Sequence, residues 1–151
     1  MQKTDYYVGA LVGFLTGVFL IPTAVNLSLL KGWPVVLFTL PLLTLILFIF
    51  GIWLGNFLGK KLAIFLQLSR FAAVGLLNTA IDFGILNILS LFTGIASGFI
   101  LGGINIPGFL VAVTNSYVWN KLWVFKDRDR ESFFHDLPRF LVVTMLGMII
   151  N

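Results

Sequence analysis

Two long stretches of this chain carry no charged residue, one from Tyr6 to Leu30 and the other from Gly32 to Gly59. A helix needs about 20 mostly apolar residues to cross a hydrocarbon core of roughly 30 Å. Each stretch exceeds that length, and Lys31 is the only charge between them. The two together read as a transmembrane hairpin. Composition agrees, with 59% hydrophobic and 11% charged residues, where soluble domains carry roughly 45–50% and about 25%. Mean hydropathy is +1.03. A soluble globule of this size cannot hide so much apolar surface, and a disordered chain is polar and charged. The chain reads as an all-α, polytopic integral membrane helical bundle.

Further spans follow. Lys60 and Lys61 interrupt the pattern, and Arg70 precedes an apolar run from Phe71 to about Phe92 that only Asp82 breaks. The uncharged stretch from Thr93 to Asn120 is too long for one straight helix and contains Gly102, Gly103, Asn105 and Pro107. It predicts a loop or re-entrant piece at about 94–106, then a helix from Pro107 to about Phe125. Proline suits a first helical turn because its missing N–H has no partner there. The run from Phe140 to Asn151 is too short to span. The expectation is therefore about four complete transmembrane helices plus the start of a fifth, with the chain a fragment that ends in mid-helix. Its parts are an N-terminal transmembrane hairpin, 1–61, and a second unit, 68–151.

Lys and Arg in the loops set orientation. Every basic residue except Lys31 falls on one side if the spans alternate: Lys3, Lys60, Lys61, Arg70, Lys121, Lys126, Arg128, Arg130 and Arg139. That side, with the amino terminus, is expected to be cytoplasmic, and the protein a multi-pass component of the cell's cytoplasmic membrane. The first span is not expected to be a cleaved signal peptide, being longer than the usual h-region of 7–15 residues and lacking an A-x-A site. Scattered basic clusters do not form a nucleic-acid footprint. Without cysteine and with His135 as the single histidine, the chain has no disulfide framework, thiolate site or multi-histidine metal centre.

Gly9, Gly13 and Gly17 are spaced four apart, as are Gly51, Gly55 and Gly59. Small residues at this spacing let helices approach closely. Packing within the hairpin is the simpler reading, and self-association or docking onto a membrane enzyme the sharper one. With no charge seen in either helix, no chemistry is expected there.

The polar signal lies between Arg70 and Phe125. An acid at the depth of Asp82 is costly unless it faces a cavity or a partner. Asn78 lies four residues earlier on the same face, and Gly75 leaves room there. With Arg70 capping the cytoplasmic end, Asn78 is roughly 12 Å and Asp82 roughly 18 Å deep, while Asn115 on the returning helix is roughly 15 Å above Phe125. Asn115 is thus expected to meet Asn78 or Asp82 if the two helices pack. Thr114, Tyr117 and Asn120 extend the polar track toward the surface, where Lys121 and Lys126 join Arg70 in a basic mouth. Trp119, Trp123 and Phe125 read as an interfacial belt. Such a track suits an amphiphile with an anionic head and a polar cap. Asn and Thr in membrane helices also serve as plain interhelical glue, and the basic residues as topology determinants. Asp127-Arg128-Asp129 has the D-x-D spacing of a metal-binding motif, but alternating charges in a loop more often make a solvated surface. His135 and Asp136 beside Pro138 read as a loop turn. No P-loop, G-x-S-x-G or H-E-x-x-H occurs, and no enzyme, metal site or cofactor is expected.

Arg70-Phe71-x-x-Val74-Gly75-x-x-Asn78-Thr79-x-x-Asp82 resembles the opening of the GtrA-like family. Asn115 followed by Asn120-Lys121-x-Trp123-Val124-Phe125 resembles that family's second signature, and the likeness covers about 68–151. It implies a four-helix membrane domain involved in moving polyprenyl-phosphate-linked sugars across the bacterial cytoplasmic membrane for cell-surface polysaccharides. Related domains are fused to dolichol-phosphate-mannose-type glycosyltransferases. Residues 1–59 fall outside the likeness, and the chain ends within the third family helix. The carried-over positions are Arg70, Gly75, Asn78, Asp82, Asn115, Asn120, Lys121, Trp123 and Phe125. The leading expectation is flipping of such a lipid, with Arg70 and Lys121, joined by Lys126, on the phosphate and Asn78, Asp82, Asn115 and Asn120 on the sugar hydroxyls. The partners are then the sugar lipid and membrane lipid, a glycosyltransferase partner and a homodimer being left open. Alternatives are a non-transporting anchor or scaffold for a glycosyltransferase, and a small proton-coupled exporter using Asp82.

Overall fold

A backbone in hydrocarbon has no water to bond and must satisfy its N–H and C=O groups internally, which a helix does within one segment. The computed structural model describes residues 3–27, 34–97 and 99–125. The described residues form five α-helices: α1 Lys3–Asn26, α2 Pro34–Gly59, α3 Ile64–Thr93, α4 Phe99–Ile104 and α5 Ile106–Trp119. A π-helical turn, Asn120–Val124, continues α5. Among the described residues, three stretches are long and apolar enough to cross a membrane: Lys3–Asn26, Leu37–Gly59 and Ile64–Thr93. This is a membrane protein.

Two boundaries have clear causes. Helix α3 stops at Gly94, whose φ of 71° is left-handed and whose N–H bonds the Ser90 carbonyl at 2.9 Å; glycine meets this conformation without a Cβ penalty. Pro107 sits in the first turn of α5, as its chemistry predicts. Between them, where a loop or re-entrant piece is expected at about 94–106, the chain is partly helical. Helix α4 occupies Phe99–Ile104, and Asn105 is all that separates it from α5. The Asn105 N–H bonds the carbonyls of Leu101 and Gly102 at 3.1 and 3.2 Å, so the backbone keeps its helical bonding across the break.

Glycines then decide how the first helices meet. A Cβ on Gly9 would stand 2.8 Å from Ile52 Cγ1, and one on Gly13 2.7 Å from Phe48 Cβ and 2.8 Å from the Thr44 carbonyl oxygen. One on Gly17 would collide with Pro41 and Thr44. The rising numbers on α1 meet falling numbers on α2, so the pair is antiparallel. Gly55 receives Ser69 and Gly59 receives Leu66, closing α2 onto α3. Gly51 and Gly75 have no such neighbour, so the room expected beside Gly75 is not used for packing. Without a hydrophobic drive between helices in lipid, these close approaches act through dispersion contacts.

Helix α1 runs parallel to α3. Asp5 meets Arg70, Phe19 lies over Gly84, and Asn26 bonds Asn87 at 2.7 Å. Among the described residues, Val12, Ile52, Val74 and Leu77 are the largest fully buried side chains, and they lie in the core between α1, α2 and α3. The outer faces stay apolar, with Phe38, Ile46, Phe50 and Phe57 exposed on α2. Helix α5 packs antiparallel on α3, as Asn115 against Asn78 and Gly108 against Ile85 require. This alternation places every Lys and Arg among the described residues at one end of the bundle: Lys3, Lys60, Lys61, Arg70 and Lys121.

The packing makes a test. Gly13→Ala must push apart α1 and α2, at a cost on the order of 1–3 kcal/mol. Gly51→Ala adds a methyl to open space. Thermal unfolding in detergent should rank Gly13→Ala well below the wild type and Gly51→Ala level with it; equal midpoints for both variants would reject the glycine ladder.

Candidate functional site

Polar residues gather in levels along the seam between α3 and α5. At the basic end, Arg70 is in the second turn of α3 and buried. Its Nη2 donates to Asp5 Oδ2 at 2.7 Å. The indole N–H of Trp123, from the π turn, donates to Asp5 Oδ1 at 3.2 Å. One carboxylate therefore ties together α1, α3 and the end of α5. Asp5 is 2% and Arg70 6% exposed, so the pair is shielded from water. Arg70 Nε is also buried and has no hydrogen-bond partner among the described residues.

The next level is an amide pair. Asn115 Nδ2 donates to Asn78 Oδ1 at 2.7 Å, and Trp119 Nε1 donates to Asn115 Oδ1 at 3.0 Å. Of the two partners expected for Asn115, Asn78 and Asp82, the bond is to Asn78. Deeper still lies Asp82, with the Asn105 side chain beside its carboxylate. Asp82 Oδ1 and Asn105 Oδ1 are buried and without a hydrogen-bond partner among the described residues. Gly108 lets α5 approach here, since a Cβ would stand 3.1 Å from the Asp82 carbonyl oxygen.

Toward the basic end the helix widens. The Phe125 N–H reaches back to the Asn120 carbonyl at 2.9 Å, a π-type span of five residues. Such bulges place an extra residue in a turn and recur at functional sites. This one turns Lys121, Trp123 and Val124 inward together. The Lys121 ammonium lies 5.8 Å from the centroid of the Tyr117 ring, within cation–π range. Asn120 Nδ2 bonds Ser116 Oγ at 3.1 Å, while Asn120 Oδ1 is buried without a partner among the described residues. On the flank of α5, Leu110, Val111, Thr114, Asn115 and Val118 line an open groove of about 450 Å³.

Several placements differ from expectation. Arg70 does not cap a helix end at the surface but sits inside the bundle against Asp5. Lys121 is buried rather than at an open mouth. Trp123 is 5% exposed and bonded to Asp5, so it is not part of an interfacial belt, whereas Phe125 is 59% exposed. The first hairpin is not free of charge, because α1 begins at Lys3 and includes Asp5. Sequence reasoning missed Asp5. An acid in a first helical turn, in a chain with a matching arginine in a span entering from the same side, was the available signal. It also missed Asn87, which bonds Asn26, Thr23 and the Phe83 carbonyl at the far end of α3. Lys31, Lys126, Asp127, Asp129, His135, Asp136 and the run 140–151 lie outside the described residues.

A helical membrane domain with charged and amide side chains stacked along an interhelical seam is the class of protein these features define. The chain belongs to the GtrA/DPMS transmembrane-domain family, whose model matches residues 70–151. It is also 35% identical over 46 residues to a dolichol-phosphate mannosyltransferase of Pyrococcus furiosus, covering 30% of this chain and 13% of that protein. The chain thus spans a small part of that relative's length. No solved structure matches it. The family match begins at Arg70, so α1, α2 and Asp5 lie outside the matched segment.

The levels differ in what they contribute to stability. Removing one partner of a buried ion pair strands the other and costs about 3–5 kcal/mol. An interhelical amide bond in a membrane is worth about 0.6 kcal/mol on average. Unfolding in mixed SDS micelles should therefore show a large loss for Arg70→Ala and a small one for Asn115→Ala. The reverse order would mean that the ion pair does not hold the helices together.

Proposed function

We propose that this protein moves polyprenyl-phosphate-linked sugars across the cytoplasmic membrane and is a non-catalytic component of glycan assembly. Buried acceptor oxygens along the α3–α5 seam carry the reading, above all Asp82 Oδ1. A buried acceptor without a donor is costly, and sugar hydroxyls are donors. In this reading Asn78, Asp82, Asn115 and Asn120 engage the sugar, and Arg70 and Lys121 engage the phosphate. The apolar groove beside Asn115 gives the prenyl chain a place next to the polar seam. No metal or nucleotide takes part. Helix α5 with its π turn serves as a fourth crossing, the basic end faces the cytoplasm, and 68–151 is the working unit to which the hairpin 1–61 is added.

Family membership supports the lipid class, and the mannosyltransferase match supports a second reading. There the domain anchors a separate glycosyltransferase without transport of its own, which accords with the chain matching a small part of an enzyme. The two readings part at the polar seam, because an anchor tolerates substitutions there.

Native mass spectrometry of the detergent-purified protein with polyprenyl-phosphate glucose, polyprenyl-phosphate mannose and the sugar-free lipid tests the assignment. A hydrogen bond to a charged group contributes about 1.5–3 kcal/mol, so Asp82→Ala should weaken binding of the preferred sugar lipid tenfold or more. Binding of the sugar-free lipid should be unchanged. Equal sugar-lipid binding by wild type and a folded Asp82→Ala variant would remove Asp82 from recognition and favour the anchor.

A further inference from the structure

The Asp5–Arg70–Trp123 cluster is unusual in how little of the arginine it uses. A guanidinium offers five N–H donors in a planar fork suited to paired acceptors. Asp5 takes Nη2 with one oxygen and the Trp123 indole with the other. The adjacent Nε stays buried and unpartnered among the described residues. Arg70 and Trp123 thus present at least three buried donors, of which Asp5 takes two in this arrangement. A phosphate monoester has three terminal oxygens and a larger charge, so it can also take the donor that Asp5 leaves, whereas a sugar-linked phosphodiester has two terminal oxygens and a single charge.

The two sides of this contact come from different parts of the chain. Arg70 and Trp123 lie within the segment that matches the family, and Asp5 lies on α1, outside it. Asp5 is in the first turn of its helix, where backbone N–H groups lack intrahelical partners and the turn is held by fewer bonds than the interior. We propose that Arg70 and Trp123 form a phosphate cradle in which the Asp5 carboxylate is an internal competitor, so that α1 gates entry of a phosphate-monoester headgroup. The phosphate chemistry comes from the cradle's donors; only its attachment to a polyprenyl chain rests on the proposed function. Binding exchanges one anion for another on Arg70, and the displaced carboxylate turns to water at the basic end of the bundle. The hairpin then sets the affinity of the family domain as well as adding to its packing.

The experiment measures binding of undecaprenyl phosphate to the full chain in detergent, with undecaprenol as the uncharged control and inorganic phosphate as a competitor. Asp5→Asn should bind undecaprenyl phosphate about tenfold more tightly than wild type, a change of about 1.4 kcal/mol. The double variant Asp5→Asn/Arg70→Gln should lose that gain, and undecaprenol should not distinguish the proteins. Competition by inorganic phosphate would extend the cradle to any phosphate group. The same gain without competition would assign it to the lipid headgroup, and either result supports the cradle. A folded Asp5→Asn variant that binds no more tightly than wild type, or a gain that survives Arg70→Gln, overturns the gate while leaving the proposed substrate standing. Absence of phosphate-lipid binding by both proteins overturns the two together. Hydrogen exchange of the wild type gives a readout that does not depend on a variant folding. Saturating undecaprenyl phosphate should speed exchange in the first turns of α1, and unchanged exchange there would equally overturn the gate.

Discussion

A carboxylate and a guanidinium buried side by side hold this bundle in register. Taking either charge out of water alone costs several kcal/mol, and only close pairing with further hydrogen bonds offsets it. Asp5 and Arg70 meet at 2.7 Å, and the Trp123 indole binds the second carboxylate oxygen. These requirements fix three things together. The start of α1 must lie at the level of the second turn of α3, the two helices must run parallel, and the π turn must bring Trp123 inward. The glycine contacts of α1 with α2 and of α3 with α1 follow the same alignment.

Above that clamp the seam changes character. The Asn78–Asn115–Trp119 chain is satisfied at each link given by its geometry, and such chains join membrane helices. Asp82 is different. It is the only acid among the described residues besides Asp5, it lies far from the basic end, and one of its oxygens has no partner there. Stability alone gives little reason for that arrangement, since apolar side chains fill such a place at lower cost. The unsatisfied oxygens of Asp82 and Asn120 are where a hydroxylated headgroup would gain most.

The sequence was legible wherever one helix sufficed. Helix rise put Asn115 between the levels of Asn78 and Asp82, and of these two expected partners it bonds Asn78. Length and charge spacing led to the helical character of the bundle and, of about four complete spans expected, to the three long ones among the described residues. What they could not give depended on contacts between distant helices. Asp5 reads as the last charge before an apolar run, and only the parallel placement of α1 on α3 makes it Arg70's partner. Trp123 reads as a belt residue from type and position, until the π turn rotates it inward. Equal glycine spacing on α1 and α2 likewise concealed that Gly51, unlike Gly13, faces no neighbour. The short helix α4 escaped notice because its two glycines count against a helix by propensity.

Passage of the sugar headgroup between leaflets is the central claim, and binding alone does not establish it. The direct measurement reconstitutes the protein in vesicles with a short-chain polyprenyl-phosphate sugar and follows its exposure on the opposite leaflet with a membrane-impermeant probe. The account predicts exchange between leaflets that depends on the protein and exceeds that of an unrelated helical membrane protein at equal density. Exchange no faster than in protein-free vesicles, from protein shown to bind the lipid, would contradict it and leave a membrane anchor as the role of the fold.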